Sequence, residues 1–252
     1  MRKEKESGLL NLYNFFMEKI ITFLICIYRF YLLKSQKIRN KIIRFKVRSI
    51  PFGYFGKHVM FDLPSTITSP ERVFLHDYTS IHKNNIIYNY KGRFVMKKYS
   101  AASVNLTVVT GNHIPTVGIP LYYLVSSHIN DKEKDIIVEE DVWIGANVTL
   151  ISGAHIGRGA VVGACCLVRS DIPPYAIVVG VPAKVVGVKF SKEQIIEHEK
   201  KLYKPEERFS EKELDDLFST KYCNLKVLGT SYISDSDKIK CSKILEQINI
   251  SE

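Results

Sequence analysis

Seven histidines are spread along the chain, and two of them, His113 and His128, stand where a side chain can do chemistry. His113 closes the segment Thr110-Gly111-Asn112-His113. His128 lies in the stretch that follows, IPTVGIPLYYLVSSHINDKEKD, residues 114–135. An imidazole exchanges a proton near neutral pH, so a histidine placed against a hydroxyl can serve as a general base. His58, His82, His155 and His198 have no such context and read as structural residues, while His76 is a weaker candidate for contact with a small molecule. The cysteines are Cys26, Cys165, Cys166, Cys223 and Cys241. Their number is odd and no CxxC spacing occurs, so they offer no zinc ribbon or dithiol motif and suit a reducing compartment.

The elements that position these histidines follow from a period of six. Residues 138–173 divide into VEEDVW, IGANVT, LISGAH, IGRGAV, VGACCL and VRSDIP, and every block opens with an aliphatic residue. The fifth places, Val142, Val148, Ala154, Ala160, Cys166 and Ile172, are apolar or small. Gly145, Gly157 and Gly163 hold second places, and Asp141, Asn147, Gly153, Gly159 and Asp171 hold fourth places, so turn-forming residues recur in register. A period of six fits neither a helix nor an alternating strand. It fits a coil of three short strands meeting at three corners, whose inward residues are buried only by the next coil. Met96, Ala102 and Val108 keep the same phase, with Ser100, Leu106 and Asn112 in the fifth place, and His113 takes a sixth place, at a corner. Residues 52–90 are expected to form coils with irregular corners, and residues 114–135 to form an insertion that breaks the coil.

These hexads, ending in DIPPYAIVVGVPAKVVG, resemble the hexapeptide-repeat acyltransferases, and within that superfamily the maltose, galactoside and polysaccharide O-acetyltransferase group. The resemblance covers about residues 60–190. Three motifs carry it in order: TGNH at Thr110–His113, VWIGANV at Val142–Val148 and GVPAK at Gly180–Lys184. It implies an all-β solenoid, a left-handed parallel β-helix, with N-terminal helices and a C-terminal helical cap. It also implies a homotrimer with active sites between adjacent subunits, acetyl-CoA as acyl donor, no metal, and a sugar or glycan hydroxyl as acceptor.

Carried onto this sequence, the family's general base falls on His113, with His128 as its rival in the insertion. The donor groove falls on Trp143, Ala146, Gly163 and Ala164, where backbone amides meet the pantetheine arm and Ala146 N–H faces the thioester oxygen. Arg169 and Lys184 are placed for the nucleotide phosphates. For the acceptor the candidates are Asn112, His128, Asp77 and Asn105, with Asn84, Asn85 and His76 as further counterparts. Other activities on this fold stay open: N-acylation of an amino sugar, acetylation of an antibiotic, a non-catalytic scaffold, or a zinc-dependent carbonic anhydrase. The last needs three converging histidines, and His113, His128 and His155 have the wrong spacing for it.

At 46% hydrophobic and 25% charged residues the chain is neither disordered nor collagen-like. Its net charge of +10 sits almost wholly in residues 1–50, where twelve Lys and Arg face three acidic residues. That asymmetry argues against nucleic acid bound along the main body and for an anionic surface met by the N-terminus. The nearly apolar run Ile20 to Leu33 is short for a span, which takes about 20 residues, and no small-residue cleavage site follows it. The following LKSQKIRNKIIRFKVRS interleaves Ile38, Ile42, Ile43 and Phe45 with basic residues, as an interfacial helix does. The chain is thus expected in the cytoplasm, touching the inner face of the membrane through residues 9–48. Helices packed against the protein itself are the equal alternative. The expected divisions are 1–50, 51–190 and 191–252. SKEQIIEHEKKLY and SEKELDDLF each read as a helix opened by a capping box, and residues 224–252 carry no recognisable chemistry.

Overall fold

The computed structural model describes the backbone of residues 2–250 and the side chains of residues 17–246 except 32, 33, 35–37, 39, 40 and 44. It divides into two compact units, Met1–Ile50 and Pro51–Glu252.

The first unit is one continuous helix, α1 (Arg2–Arg48), where several helices were expected. No glycine or proline interrupts residues 9–50, so nothing breaks the hydrogen-bond ladder once it has started. Ile20, Ile21, Phe23, Leu24, Ile27, Tyr28 and Phe30 are all exposed, which puts apolar groups on every side of α1 and not along one stripe. Among the described residues no helix is long and apolar enough to cross a membrane. The side chains of residues 9–16, Lys37, Arg39 and Arg44, part of the expected membrane contact, lie outside those described.

The second unit is a three-faced coil of short parallel strands, each hydrogen-bonded to the strand one turn later. Face A holds Tyr54–Phe55, Val73–Leu75, Phe94–Met96, Ile136–Val138 and His155–Ile156. Face B holds Met60–Phe61, Ser80–Ile81, Ala101–Ala102, Trp143–Ile144, Val161–Val162 and Ala176–Val179. Lys184–Val188, antiparallel, and Lys226–Val227 extend it. Face C holds Ser65–Ile67, Asn85–Tyr88, Thr107–Val109, Thr149–Ile151 and Leu167–Val168.

The periodic residues build this coil as their spacing requires. All six block openings and all six fifth places of residues 138–173 are buried, from Val138 and Ile144 to Cys166 and Ile172. Every fourth place from Asp141 to Cys165 has a positive φ, between 55° and 81°. Such a residue turns the chain through a corner that ordinary backbone conformations do not reach. Two expectations are corrected here. Asp171 is not among the positive-φ residues, and Cys165, with φ 60°, makes the turn in its column. The second-place glycines serve close approach and not turning: a Cβ on Gly145 would lie 2.6 Å from the Ala164 nitrogen of the next coil. The corner between faces B and C is laddered, with Asn84, Asn105, Asn147 and Cys165 stacked at φ 59–62°. Asn105 donates to Asn147 Oδ1 at 2.7 Å.

Past the coil, α3 (Lys192–Leu202) and α4 (Glu211–Thr220), after α2 (Leu121–Ser126) in the insertion, both open with capping boxes, Ser191 with Gln194 and Ser210 with Glu213. Glu199 ties α3 to the coil. Its buried carboxylate accepts from Tyr175 Oη at 2.9 Å, Arg158 Nη1 at 3.2 Å and Phe209 N–H at 2.7 Å. Helix α5 (Asp235–Ile250) ends the described chain.

Candidate active site

The insertion leaves face C after Val109 and rejoins face A at Ile136. Thr107 therefore pairs with Thr149, and coil neighbours across the gap lie 42 residues apart, as Asn105 and Asn147 do. Elsewhere neighbouring coils pair over 16 to 21 residues, as in Val161 with Ile177 and Val73 with Phe94. The base of the insertion is a short antiparallel ladder. Lys132 N–H reaches Asn112 C=O at 2.9 Å, Ile114 N–H reaches Asn130 C=O at 3.4 Å, and His113 bridges to Asp131. Two carboxylates fasten its return. Glu133 Oε2 accepts from Lys91 N–H, Gly92 N–H and Thr110 Oγ1 at 2.8–2.9 Å, and Asp135 takes the Arg93 guanidinium on Oδ2 at 2.7 and 2.9 Å.

This ladder brings two imidazoles onto one carboxylate. His113 Nδ1 lies 2.6 Å from Asp131 Oδ1, and His128 Nδ1 lies 2.8 Å from Asp131 Oδ2. The Asp131 side chain is 4% exposed, against 35% for His113 and 40% for His128. Burial alone would push the Asp131 carboxyl up, but the hydrogen bonds from His128 and His113 outweigh it and hold the group below the ordinary carboxylate range. An ionised carboxylate only accepts hydrogen bonds, so both Nδ1 atoms are donors to Asp131, and in a neutral ring of that tautomer Nε2 is the atom with the lone pair. The His128 ring also packs against Tyr90, centroids 4.8 Å apart. Asp131 was not among the sequence candidates. It sits in an aperiodic loop, 18 residues from His113, and no spacing rule announces such a partner.

The other candidates are spread over the prism. Asn112 shares the corner of His113 and is exposed. Asp77 lies at the corner between faces A and B, where Oδ1 accepts from Lys57 N–H at 2.8 Å. His76, at the same corner, leans on Tyr54 with centroids 5.1 Å apart. Asn105 belongs to the ladder between faces B and C, so its amide is already engaged in turning the coil. Asn84 lies in the same column, and buried Asn85 donates to His82 C=O at 2.9 Å. Neither Asp77 nor Asn105 joins His113, because each side chain is held at another corner.

Of the donor candidates, Trp143 projects from face B, 49% exposed. Ala146 and Ala164 stand at the corner between faces B and C, one coil apart. Among the described residues neither N–H has an acceptor within the chain. Gly163 stands next to Ala164, and its N–H is engaged by Val178 C=O at 2.8 Å. The Gly180–Lys184 turn docks back on face C through Ala183 N–H to Leu167 C=O at 2.9 Å. That places exposed Lys184 beside the strand that runs into exposed Arg169. Among the described residues no three His, Cys, Asp or Glu side chains converge as metal ligands.

Within one chain, then, His113 and the free amides of Ala146 and Ala164 lie at different corners, with face C between them.

Residues 135–170 match the bacterial transferase hexapeptide (six repeats) family. The fold is similar to a hexapeptide-repeat-containing acetyltransferase from Vibrio cholerae solved with acetyl-coenzyme A. The TM-score is 0.53 and the identity 24%, over 60% of this chain and 79% of that one. A maltose O-acetyltransferase from Clostridium difficile 630 gives a TM-score of 0.51 at 20% identity, over 61% and 75%. Among curated relatives, chloramphenicol acetyltransferase of Escherichia coli is 46% identical over 61 residues, 24% of this chain and 29% of its own length. A 2,3,4,5-tetrahydropyridine-2,6-dicarboxylate N-acetyltransferase of Staphylococcus aureus (strain JH9) is 41% identical over 71 residues, 27% and 30%. The chain therefore spans less than a third of the length of the curated relatives it matches.

Proposed function

We propose that the protein is an acyl-CoA-dependent O-acyltransferase that transfers acetyl from acetyl-CoA to a hydroxyl of a sugar or glycan. The observation that carries this reading is the His113–Asp131 pair, 2.6 Å apart at the mouth of the insertion. A neutral alcohol is a weak nucleophile and needs a base, and a His whose Nδ1–H is fixed on a carboxylate offers Nε2 for that work. Acetyl-CoA brings the acyl group already activated as a thioester. His113 Nε2 takes the hydroxyl proton as the oxygen attacks, and the same nitrogen returns it to the departing sulfur. Asp131 holds the ring in one tautomer throughout and stabilises the imidazolium while it lasts.

The residues fit the donor. Ala146 and Ala164 offer free backbone amides, and Ala146 N–H is the donor assigned to the thioester oxygen as charge develops there, a contact of about 3 kcal/mol in comparable sites. Arg169 and Lys184 have no ion pair among the described residues and are assigned to the phosphates. Because His113 and these amides occupy different corners of one prism, the site is completed by a neighbouring copy. A left-handed coil assembled as a homotrimer, as in the resembling family, supplies that geometry. Helix α1, basic and apolar, is assigned to the anionic inner face of the cytoplasmic membrane.

An amine acceptor is the reading favoured by the N-acetyltransferase relative. A neutral amine attacks a thioester without prior deprotonation, so it makes less use of the base than an alcohol does.

The test is acetyl-CoA turnover, followed by thiol release, across sugars, oligosaccharides, lipid-linked glycans, amino sugars and chloramphenicol. Hydroxyl-selective turnover supports the reading, and turnover of amines alone would overturn it.

A further inference from the structure

Asp131 holds two rings where the reaction described above needs one. Neither Nε2 has a hydrogen-bond partner among the described residues, both side chains are more than a third exposed, and both hang from one carboxylate that is 4% exposed, so a single buried group ties the two rings together. His128 is further confined by its ring contact with Tyr90, itself 57% exposed, and by its own backbone at φ 54°, a conformation a non-glycine residue adopts only when its surroundings impose it. A ring kept in place only to orient His113 would not need its second nitrogen left open.

We infer that the acceptor is recognised as a vicinal diol: the hydroxyl to be acylated binds His113 Nε2, and the neighbouring hydroxyl donates to His128 Nε2. This rests on the O-acyl transfer proposed above and deepens it. Two rings held by one carboxylate offer one ligand two acceptors, as a vicinal diol offers one site two donors. The aromatic face of Tyr90 beside His128 suits the C–H surface of a pyranose ring. A monohydric alcohol, or a sugar lacking the neighbouring hydroxyl, leaves His128 Nε2 unpaired and loses its orientation in the site.

The experiment uses the full chain, acetyl-CoA, and methyl glucopyranoside, galactopyranoside and mannopyranoside, with the acetylated position of the best substrate located by NMR. That substrate is then compared with its monodeoxy form lacking the adjacent hydroxyl, for the unaltered protein and for His128→Ala and His128→Gln. For the unaltered protein the deoxy form is expected to lose about tenfold or more in kcat/KM, mostly through KM. With His128→Ala the two substrates are expected to become equivalent. His128→Gln, whose amide oxygen can still accept, recovers part of the difference. A general disturbance of the loop would lower both substrates together and leave their ratio intact. Equal use of diol and deoxy substrate by the unaltered protein, or full discrimination retained by His128→Ala, overturns the inference while leaving acyl transfer standing. Absence of turnover with every hydroxyl acceptor overturns both.

Discussion

The imidazole of His113 and the carboxylate of Asp131 meet at 2.6 Å although Asp131 lies 18 residues further on, in the aperiodic insertion. They are brought together by the antiparallel ladder at the foot of the insertion, so the pair depends on that ladder being closed. His113→Ala is expected to lower kcat by about 10²–10⁴-fold, the usual contribution of a positioned base, with little change in acetyl-CoA affinity. Asp131→Asn is expected to cost about 10²-fold or more, because an amide can hold Nδ1 in the wrong tautomer. Steady-state kinetics and acetyl-CoA titration check both. Near-normal turnover of His113→Ala would remove it as the base.

The proposed sharing of the site between chains makes a prediction that no single-chain site does. His113→Ala and a groove-blocking Ala164→Phe are each expected to be inactive alone. Mixed and reassembled, they should recover about a quarter of the sites, those taking His113 from one chain and Ala164 from another. Light scattering on the same samples should give a trimer. A fully active monomer would end the shared-site reading.

Gly145 tests why glycine recurs in the repeat. An added methyl meets the Ala164 backbone at 2.6 Å, whereas at Gly111 it would meet nothing within 4 Å. Gly145→Ala is expected to destabilise by about 1–3 kcal/mol through overpacking, and Gly111→Ala to leave Tm nearly unchanged. Thermal unfolding of the two variants side by side decides it.

Glu133 gives the insertion an acid limit. Burial works against its ionisation, but the Gly92 and Lys91 amides and the Thr110 hydroxyl together pull its carboxyl below the ordinary range. A depressed folded-state value means that the stabilisation is present above the unfolded value, about 4.3, and is lost as pH falls through the folded one. The Tm difference between the unaltered protein and Glu133→Gln should therefore be largest near neutral pH and shrink below about pH 4. A difference that grows on acidification would contradict it.

Deleting residues 1–48 is expected to abolish binding to phosphatidylserine vesicles while leaving turnover of a free sugar largely intact. Each basic residue near an anionic surface adds about 1 kcal/mol, so co-sedimentation should show the loss clearly. Equal binding by the shortened chain would remove α1 from the membrane.

How much of this could be read beforehand depended on periodicity. Val138, Ile144, Leu150 and their fifth-place partners were legible as core because burial in a coil repeats every six residues. The order of the strands follows from the same repeat. Single positions inside that pattern were less legible. Cys165 turns a corner that its residue type does not advertise, and Gly145 answers to the coil above it and not to its own φ. Asn105 has the polarity of a binding residue but gives it to Asn147. Asp131 was hidden for a different reason. Its pairing is decided by how an aperiodic loop folds back, which no repeat encodes.

The insertion has a low thermodynamic cost for its size. Coil contacts that elsewhere close over 16 to 21 residues close over 42 where it intervenes. Chain closure grows only with the logarithm of length, so this doubling costs about 0.6 kcal/mol. The loop that carries His128 and Asp131 can thus lengthen, shorten or change sequence under weak stability selection, while the coil beneath it is held to its six-residue step. The chemistry carried by this segment can therefore change without disturbing the coil.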